Sequence, residues 1–230
     1  MRIKQKTIAK QISFDGVGLH SGINCNVILK PAKVNTGIIF SKRINGNYFS
    51  MPGDFKNISK SNFCTTIESE DGKFKVFTIE HLLAAIKGNN IDNIEIIVDH
   101  HEIPALDGSA FEFDRIIKNA QVVSQGEYKK FLAIKKNITI QKGDSKIELS
   151  PSDQFSIDCI IDFPDPIGIQ NVKLGNSIEK IYNKVLSSRT FCFYEDIENM
   201  KKNGLAKGGT LKNAIVIKDK KVLNQKGLKS

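Results

Sequence analysis

The chain has 230 residues, a formal net charge of +9 and 40% hydrophobic residues. That length allows one large domain or two small ones, at about 100–200 residues per domain, and the apolar fraction supports a packed core rather than a disordered chain. No run approaches the roughly 18 uncharged apolar residues of a membrane-spanning helix and no apolar stretch follows the first six residues, so neither a span nor a secretory signal is expected and the expected compartment is the cytoplasm.

The chain opens on strands. Thr7 to Phe14 reads as a strand, followed by a turn signal at Asp15-Gly16-Val17-Gly18. Asn24 to Leu29 alternates with period two, as a half-buried strand does. Pro31 ends it and Gly37 to Phe40 starts another. Phe63 to Ile67 and Phe74 to Phe77 read as short strands around the Glu70-Asp71-Gly72 turn. A helix is expected from Ile79 to Lys87, with Thr78 as N-cap, Ile79, Leu82, Leu83 and Ile86 as its apolar stripe and Gly88 at its end. Ile91 to Val98 is a strand, Pro104 to Gly108 a loop, and Ala110 to Ala120 a second helix with Phe113, Ile116 and Ile117 on one side.

A boundary falls near residues 121–129, where Ser124-Gln125-Gly126 breaks the pattern. Beyond it, Phe131 to Ile140, Lys146 to Leu149 and Phe155 to Phe163 are strand candidates. Ile178 to Leu186 and Glu195 to Lys202 read as helices, and Ala214 to Ile217 and Lys221 to Leu223 as strands. The expected fold class is α+β: two similar lobes, 1–124 and 125–230, each a small mainly antiparallel sheet packed with helices.

The charge is uneven. Residues 201–230 carry +8 and residues 1–200 only +1, and lysine supplies 30 of the 34 basic residues. Arginine is the usual choice for planar recognition of phosphates and bases, and the basic tail lacks interleaved aromatic residues, so it reads as a solvated surface and no nucleic-acid partner is expected. The cysteines, Cys25, Cys64, Cys159 and Cys192, have no zinc-knuckle spacing and are too few for a disulfide scaffold. They read as free, mostly buried thiols.

Three segments carry possible chemistry. Thr78-Ile79-Glu80-His81 places a carboxylate and an imidazole in a first helical turn, where the helix dipole favours the one and opposes protonation of the other. A neutral imidazole can bind a metal, and a neighbouring carboxylate can take a proton from metal-bound water. The bland alternative is an acidic first turn with a capping His. His100-His101 could ligate metal at a strand end, or face solvent as paired polar residues do. Ser188-Arg189-Thr190-Phe191 could line a substrate groove or be one polar strand face. The glycine loops at Gly16–Gly18 and Gly204–Gly209 match no phosphate-binding pattern, and no G-x-S-x-G elbow exists.

In order, the chain reads Gly16-Val-Gly-Leu-His-Ser-Gly22, Phe63-Cys-Thr-Thr66, Thr78-Ile-Glu-His-Leu-Leu83, Ile91-Asp-Asn93, Glu102-Ile-Pro104, Asp107-Gly-Ser-Ala110, Ser188-Arg-Thr-Phe191, Gly204-Leu-Ala206, Gly208-Gly209 and Asn213-Ala-Ile-Val216 with Val222-Leu-Asn224. This resembles the zinc-dependent UDP-3-O-acyl-N-acetylglucosamine deacetylase family of lipid A biosynthesis, from about residue 2 to the last. The resemblance implies a cytoplasmic zinc amidohydrolase that removes the N-acetyl group of UDP-3-O-acyl-N-acetylglucosamine; a monomer is expected. It implies Glu80 as general base, His81 as a Zn2+ ligand and Thr190 as the donor to the tetrahedral oxyanion. It implies Phe191 beside the sugar and nucleotide, Phe63 and Cys64 beside the acetyl pocket, and Asp196 as an acidic residue of the site. Where the family has a lysine in a second-lobe hairpin, this sequence has Ser145, with Lys146 next to it.

One departure from the family is large. Its other two zinc ligands, a His and an Asp, lie on a second-lobe helix after the Val-Leu-Asn strand, and a His that serves as general acid follows. This sequence reaches Gly227-Leu-Lys-Ser230 just before that point and has no histidine after His101. The resemblance therefore implies a second lobe lacking its final helix, apolar surface left exposed there, and a chain inactive alone. The alternatives are a non-catalytic binder of the same acylated UDP-sugar and, third, a nucleic-acid binder acting through residues 201–230.

Overall fold

The computed structural model describes residues 2–60, 63–175 and 178–224. The first part of the chain runs β1 (Lys4–Ile8), β2 (Ile12–Val17), β3 (Asn24–Pro31), β4 (Ile38–Ile44), β5 (Asn47–Pro52), β6 (Thr66–Glu68), β7 (Lys75–Phe77), α1 (Glu80–Gly88), β8 (Ile94–Val98), α2 (Phe111–Asn119) and β9 (Val122–Tyr128). The second part runs β10 (Ile138–Lys142), β11 (Ser145–Leu149), β12 (Ile157–Phe163), β13 (Gly168–Leu174), α3 (Ile178–Val185), β14 (Phe191–Phe193), α4 (Tyr194–Lys202), β15 (Ile215–Lys218) and β16 (Lys221–Val222). The class is α+β, with small, mostly antiparallel sheets. Among the described residues no helix is long and apolar enough to cross a membrane.

The main sheet has five strands in the order β2-β3-β8-β4-β5. Only the β4–β8 pair in it is parallel. Alternation places Cys25, Val27 and Leu29 of β3 and Ile94, Ile96 and Val98 of β8 inside. Leu82, Ala85 and Ile86 of α1 bury at i, i+3 and i+4, and Phe113 and Ile117 of α2 join the same core. Phe113 meets Phe14 of β2 edge-on, with centroids 5.7 Å apart. β1 pairs antiparallel with β9, which spans residues on both sides of 124.

The second part is built differently. The hairpins β10–β11 and β12–β13 are exposed on nearly every residue, with Ile160 at 66% and Ile169 at 74%. Burial gathers instead in the three-stranded sheet β14-β15-β16, where Ile215, Val216 and Ile217 are inside. β14 and β15 are parallel, with α4 in the connection between them. Tyr182 of α3 is buried in the first-lobe core and holds α3 against α1.

Three expectations need correction. Asp15-Gly16-Val17 is not a turn but the end of β2, paired with Cys25 and its neighbours; the chain turns at residues 19–22. The break comes earlier, at Ala9, whose N–H bonds the Gln121 carbonyl at 2.8 Å and so separates β1 from β2. Residues 131–137 are irregular and mostly exposed, not strand, because nothing pairs with them in the ladder of β10. Of the four thiols only Cys25 is buried; Cys64 and Cys192 are half-buried and Cys159 is exposed. Gly227–Ser230 lies outside the described residues.

This distribution of burial is testable. Leu82→Ala, at a fully buried position, will cost about 2–5 kcal/mol of stability. Ile140→Ser, on an exposed hairpin, will change it by less than about 0.5 kcal/mol. Urea unfolding of both variants checks the contrast.

Candidate active site

The site forms around the head of α1. β7 ends at Phe77, whose N–H and carbonyl bond residues on either side of Glu102: Phe77 N to the His101 carbonyl at 2.9 Å and Ile103 N to the Phe77 carbonyl at 3.1 Å. Thr78 then takes a left-handed backbone, φ 58°. That conformation costs a β-branched residue about 1–3 kcal/mol and persists only where its surroundings over-determine it. They do: the Thr78 hydroxyl donates to Glu102 Oε1 at 3.0 Å. Thr78 is therefore not the expected N-cap. Ile79 occupies that position without a side-chain bond, because the Thr78 hydroxyl is turned to the buried carboxylate.

Glu102 is fully buried and accepts two more bonds, from His20 N at 2.8 Å and Ser21 N at 2.7 Å. Gly18 lies so close that a Cβ there would sit 2.2 Å from Glu102 Oε2. Three separated motifs, Gly16–Gly22, Thr78–His81 and Glu102–Pro104, are thus tied at one carboxylate. Glycine is also required at Gly108, φ 80°, where a Cβ would lie 1.9 Å from the Asn213 carbonyl oxygen. The segment carrying Asn213 docks on the Gly18 loop through Lys207 N to the His20 carbonyl at 3.1 Å and Gly208 N to the Leu19 carbonyl at 3.0 Å.

Glu80 and His81 stand in the first turn of α1. Thr65 N donates to Glu80 Oε2 at 3.1 Å, which anchors the carboxylate to the loop after Phe63. Burial pushes the His81 imidazole below its usual range, against the opposite pull of Glu80 and Asp107. The helix dipole acts in the same direction as burial, so the ring is neutral and its lone pair is available. Among the described residues no group of three or more His, Cys, Asp or Glu side chains comes together to hold a metal ion. His101 Nδ1 lies 3.1 Å from the Lys75 carbonyl oxygen.

A cavity of about 830 Å³ opens between this loop and α4, lined by Phe63, Cys64, Phe77, Asp196 and Met200 among others. It gathers three of the expected site residues: Phe63, which is exposed with φ 65°, Cys64 and Asp196. The others stand apart from its described lining. Thr190 is exposed just before β14, its carbonyl taken by Ile215 N at 3.0 Å. Phe191 packs edge-on to Phe163 and Phe193, at 5.0 and 6.2 Å. Lys146 lies on the exposed hairpin, ion-paired with Glu148 at 3.0 Å.

Residues 5–230 match the protein family described as UDP-3-O-acyl N-acetylglycosamine deacetylase. The chain belongs to this family. Proteins named UDP-3-O-acyl-N-acetylglucosamine deacetylase are similar to it over 230 residues, 99% of this chain and 75% of each relative. That of Histophilus somni is 40% identical, that of Shewanella violacea 39% and that of Haemophilus influenzae 38%.

Within this deacetylase-family fold, the residues that reading the sequence did not single out are Glu102 and His20. Both sat inside motifs already noted. Their roles depend on contacts between segments far apart in the chain, for which no local spacing is a signal.

Glu102→Ala will strand buried donors from two segments, at about 1–3 kcal/mol each. We expect a stability loss of roughly 3 kcal/mol or more, and a smaller one for Glu102→Gln, which keeps an acceptor. Urea unfolding of the two variants measures the difference.

Proposed function

We propose that this chain hydrolyses the N-acetyl group of UDP-3-O-acyl-N-acetylglucosamine, releasing acetate and leaving a free amine, as a cytoplasmic monomer with no nucleic-acid partner. The observation that carries this reading is the Glu80–His81 pair at the head of α1, with Glu80 anchored by the Thr65 N–H, in a chain that belongs to the deacetylase family.

Amide hydrolysis needs an activated water, a polarised carbonyl and a proton for the departing amine. In this reading Glu80 accepts the proton of the attacking water and passes it on. The Thr190 hydroxyl donates to the oxygen that becomes negative. Phe191 offers stacking surface to the sugar and nucleotide, Phe63 and Cys64 lie beside the acetyl group, and Lys146 and Asp196 supply polar contacts. His81, kept neutral by burial, is the group suited to a Zn2+ ion, which when bound polarises a carbonyl and acidifies water. A catalytic zinc takes three protein ligands. Among the described residues no group of three such donors comes together, so they do not by themselves fit the ion, and no step is assigned to it.

That shortfall favours a second reading, a non-catalytic binder of the same acylated UDP-sugar. Two measurements on the full chain separate the readings: zinc per chain by elemental analysis, and acetate release from the acylated UDP-sugar with zinc supplied. Hydrolysis predicts bound zinc that His81→Ala removes, and turnover that Glu80→Ala lowers by about 10²–10⁴ and Thr190→Ala by about 10²–10³. Saturable sugar binding without acetate release would establish the binder instead. Neither binding nor release would refute both.

A further inference from the structure

The paired histidines His100 and His101 take no part in the hydrolysis described above. They stand at a bend between β8 and Glu102, and both are half-buried. The bend is pinned on either side. Asp99 N donates to the Asn26 carbonyl at 3.2 Å, Asn26 N donates to Asp99 Oδ1 at 2.8 Å, and Phe77 N donates to the His101 carbonyl at 2.9 Å. Adjacent residues of a straight strand point to opposite faces. The bend instead brings the two rings together, with centroids 5.4 Å apart and planes at 76°.

Each ring has a nitrogen suited to a cation. His101 Nδ1 is held by the Lys75 carbonyl oxygen at 3.1 Å. A carbonyl only accepts, so Nδ1 carries the proton and the lone pair of the neutral ring lies on Nε2. A backbone carbonyl on the far nitrogen is the usual support of a metal-binding histidine, fixing both its tautomer and its orientation. His100 Nδ1 is withdrawn from water and has no hydrogen-bond partner among the described residues. Buried polar atoms are nearly always satisfied, and a bound ion is one way to satisfy this one. An ion about 2.0–2.1 Å from one nitrogen of each ring fits between rings at this separation.

We propose that His100 and His101 form a metal site separate from His81, holding one divalent transition-metal ion of the imidazole-binding class on His100 Nδ1 and His101 Nε2, with water in the remaining positions. Zinc, nickel and copper are the members of that class. Two protein donors hold an ion more loosely than the three of a catalytic zinc or the four of a structural one, so the site fills and empties with the metal supply. The surroundings keep the His100 ring neutral: burial, then Lys42 and His101, push it below its usual range against Asp99 and Glu102. Lys42 opposes an added cation, and the two carboxylates offset it. An ion here braces the segment that carries Glu102. The inference does not depend on whether the chain hydrolyses or only binds its sugar.

The test uses the full chain carrying His81→Ala and Cys159→Ser, which removes the helix-head imidazole and the exposed thiol as competing donors. Zinc per chain is measured by elemental analysis after equilibrium dialysis against graded Zn2+ at neutral pH. We expect about one ion per chain, with its affinity lowered about tenfold or more by His100→Gln or His101→Gln. No bound zinc, or zinc that neither substitution weakens, overturns the proposal. A second measurement needs no substitution. The natural chain is treated with diethyl pyrocarbonate, which modifies open imidazole nitrogens, and mapped by peptide mass spectrometry. Zinc at ten times its dissociation constant will slow modification of His101 about tenfold, and a chelator will restore it. Equal rates with and without zinc overturn the proposal. Either failure leaves the hydrolysis reading untouched, since that reading turns on Glu80 and His81.

Discussion

A carboxylate sealed from water must find its hydrogen bonds inside the protein, and Glu102 finds three. The donors come from two segments remote from it in sequence. Satisfying them fixes where those segments lie, because a buried acceptor left short of partners costs about 1–3 kcal/mol. Gly18 has no side chain because Glu102 occupies the space one would take. Thr78 holds a left-handed backbone because its hydroxyl is needed at Glu102. That bend sets the direction in which α1 departs, and with it the positions of Glu80 and His81. The chemistry at the head of the helix thus rests on a residue that does none of it.

The same constraint reaches the second part of the chain. Its segment from Gly204 to Asn213 meets the Gly18 loop and the Asp107–Ser109 loop by backbone contacts, Gly208 N to the Leu19 carbonyl on one side and Gly108 against the Asn213 carbonyl on the other. Backbone-to-backbone packing leaves little freedom to slide, so β15 is held in a fixed relation to α1, and β14 with it through their parallel pairing. The hairpins β10–β11 and β12–β13 leave isoleucines exposed, those of β10–β11 all on one face. Burial therefore gathers around the head of α1 rather than in the exposed hairpins.

What was legible in the sequence follows from range. α1 and α2 were readable because their apolar residues recur at helical spacing, and β3 and β8 because theirs recur at strand spacing. β5 and β13 were not. Asn47–Pro52 has one buried side chain, Met51, and Gly168–Leu174 has one, Leu174, so neither strand carries the alternation that burial imposes. Within the site, the Glu80–His81 pair was readable because it is local. The partner of Thr78 was not, since a hydroxyl before a helix suggests a cap. Only the fold brings Glu102 to it.

His20 and His81 show how the same side chain is pushed in opposite directions within one site. Both are withdrawn from water, which disfavours the charged ring, and both have carboxylates nearby, which favour it. At His81 burial prevails over Glu80 and Asp107, and the first turn of α1 adds its own opposition to a positive charge. At His20 burial is outweighed by the neighbouring Cys64, Glu102 and Glu80. A neutral ring can give a lone pair to a cation, so the surroundings of His81 suit it to a metal ion at the helix head. What divides the two rings is that burial outweighs the neighbouring charge at one and yields to it at the other.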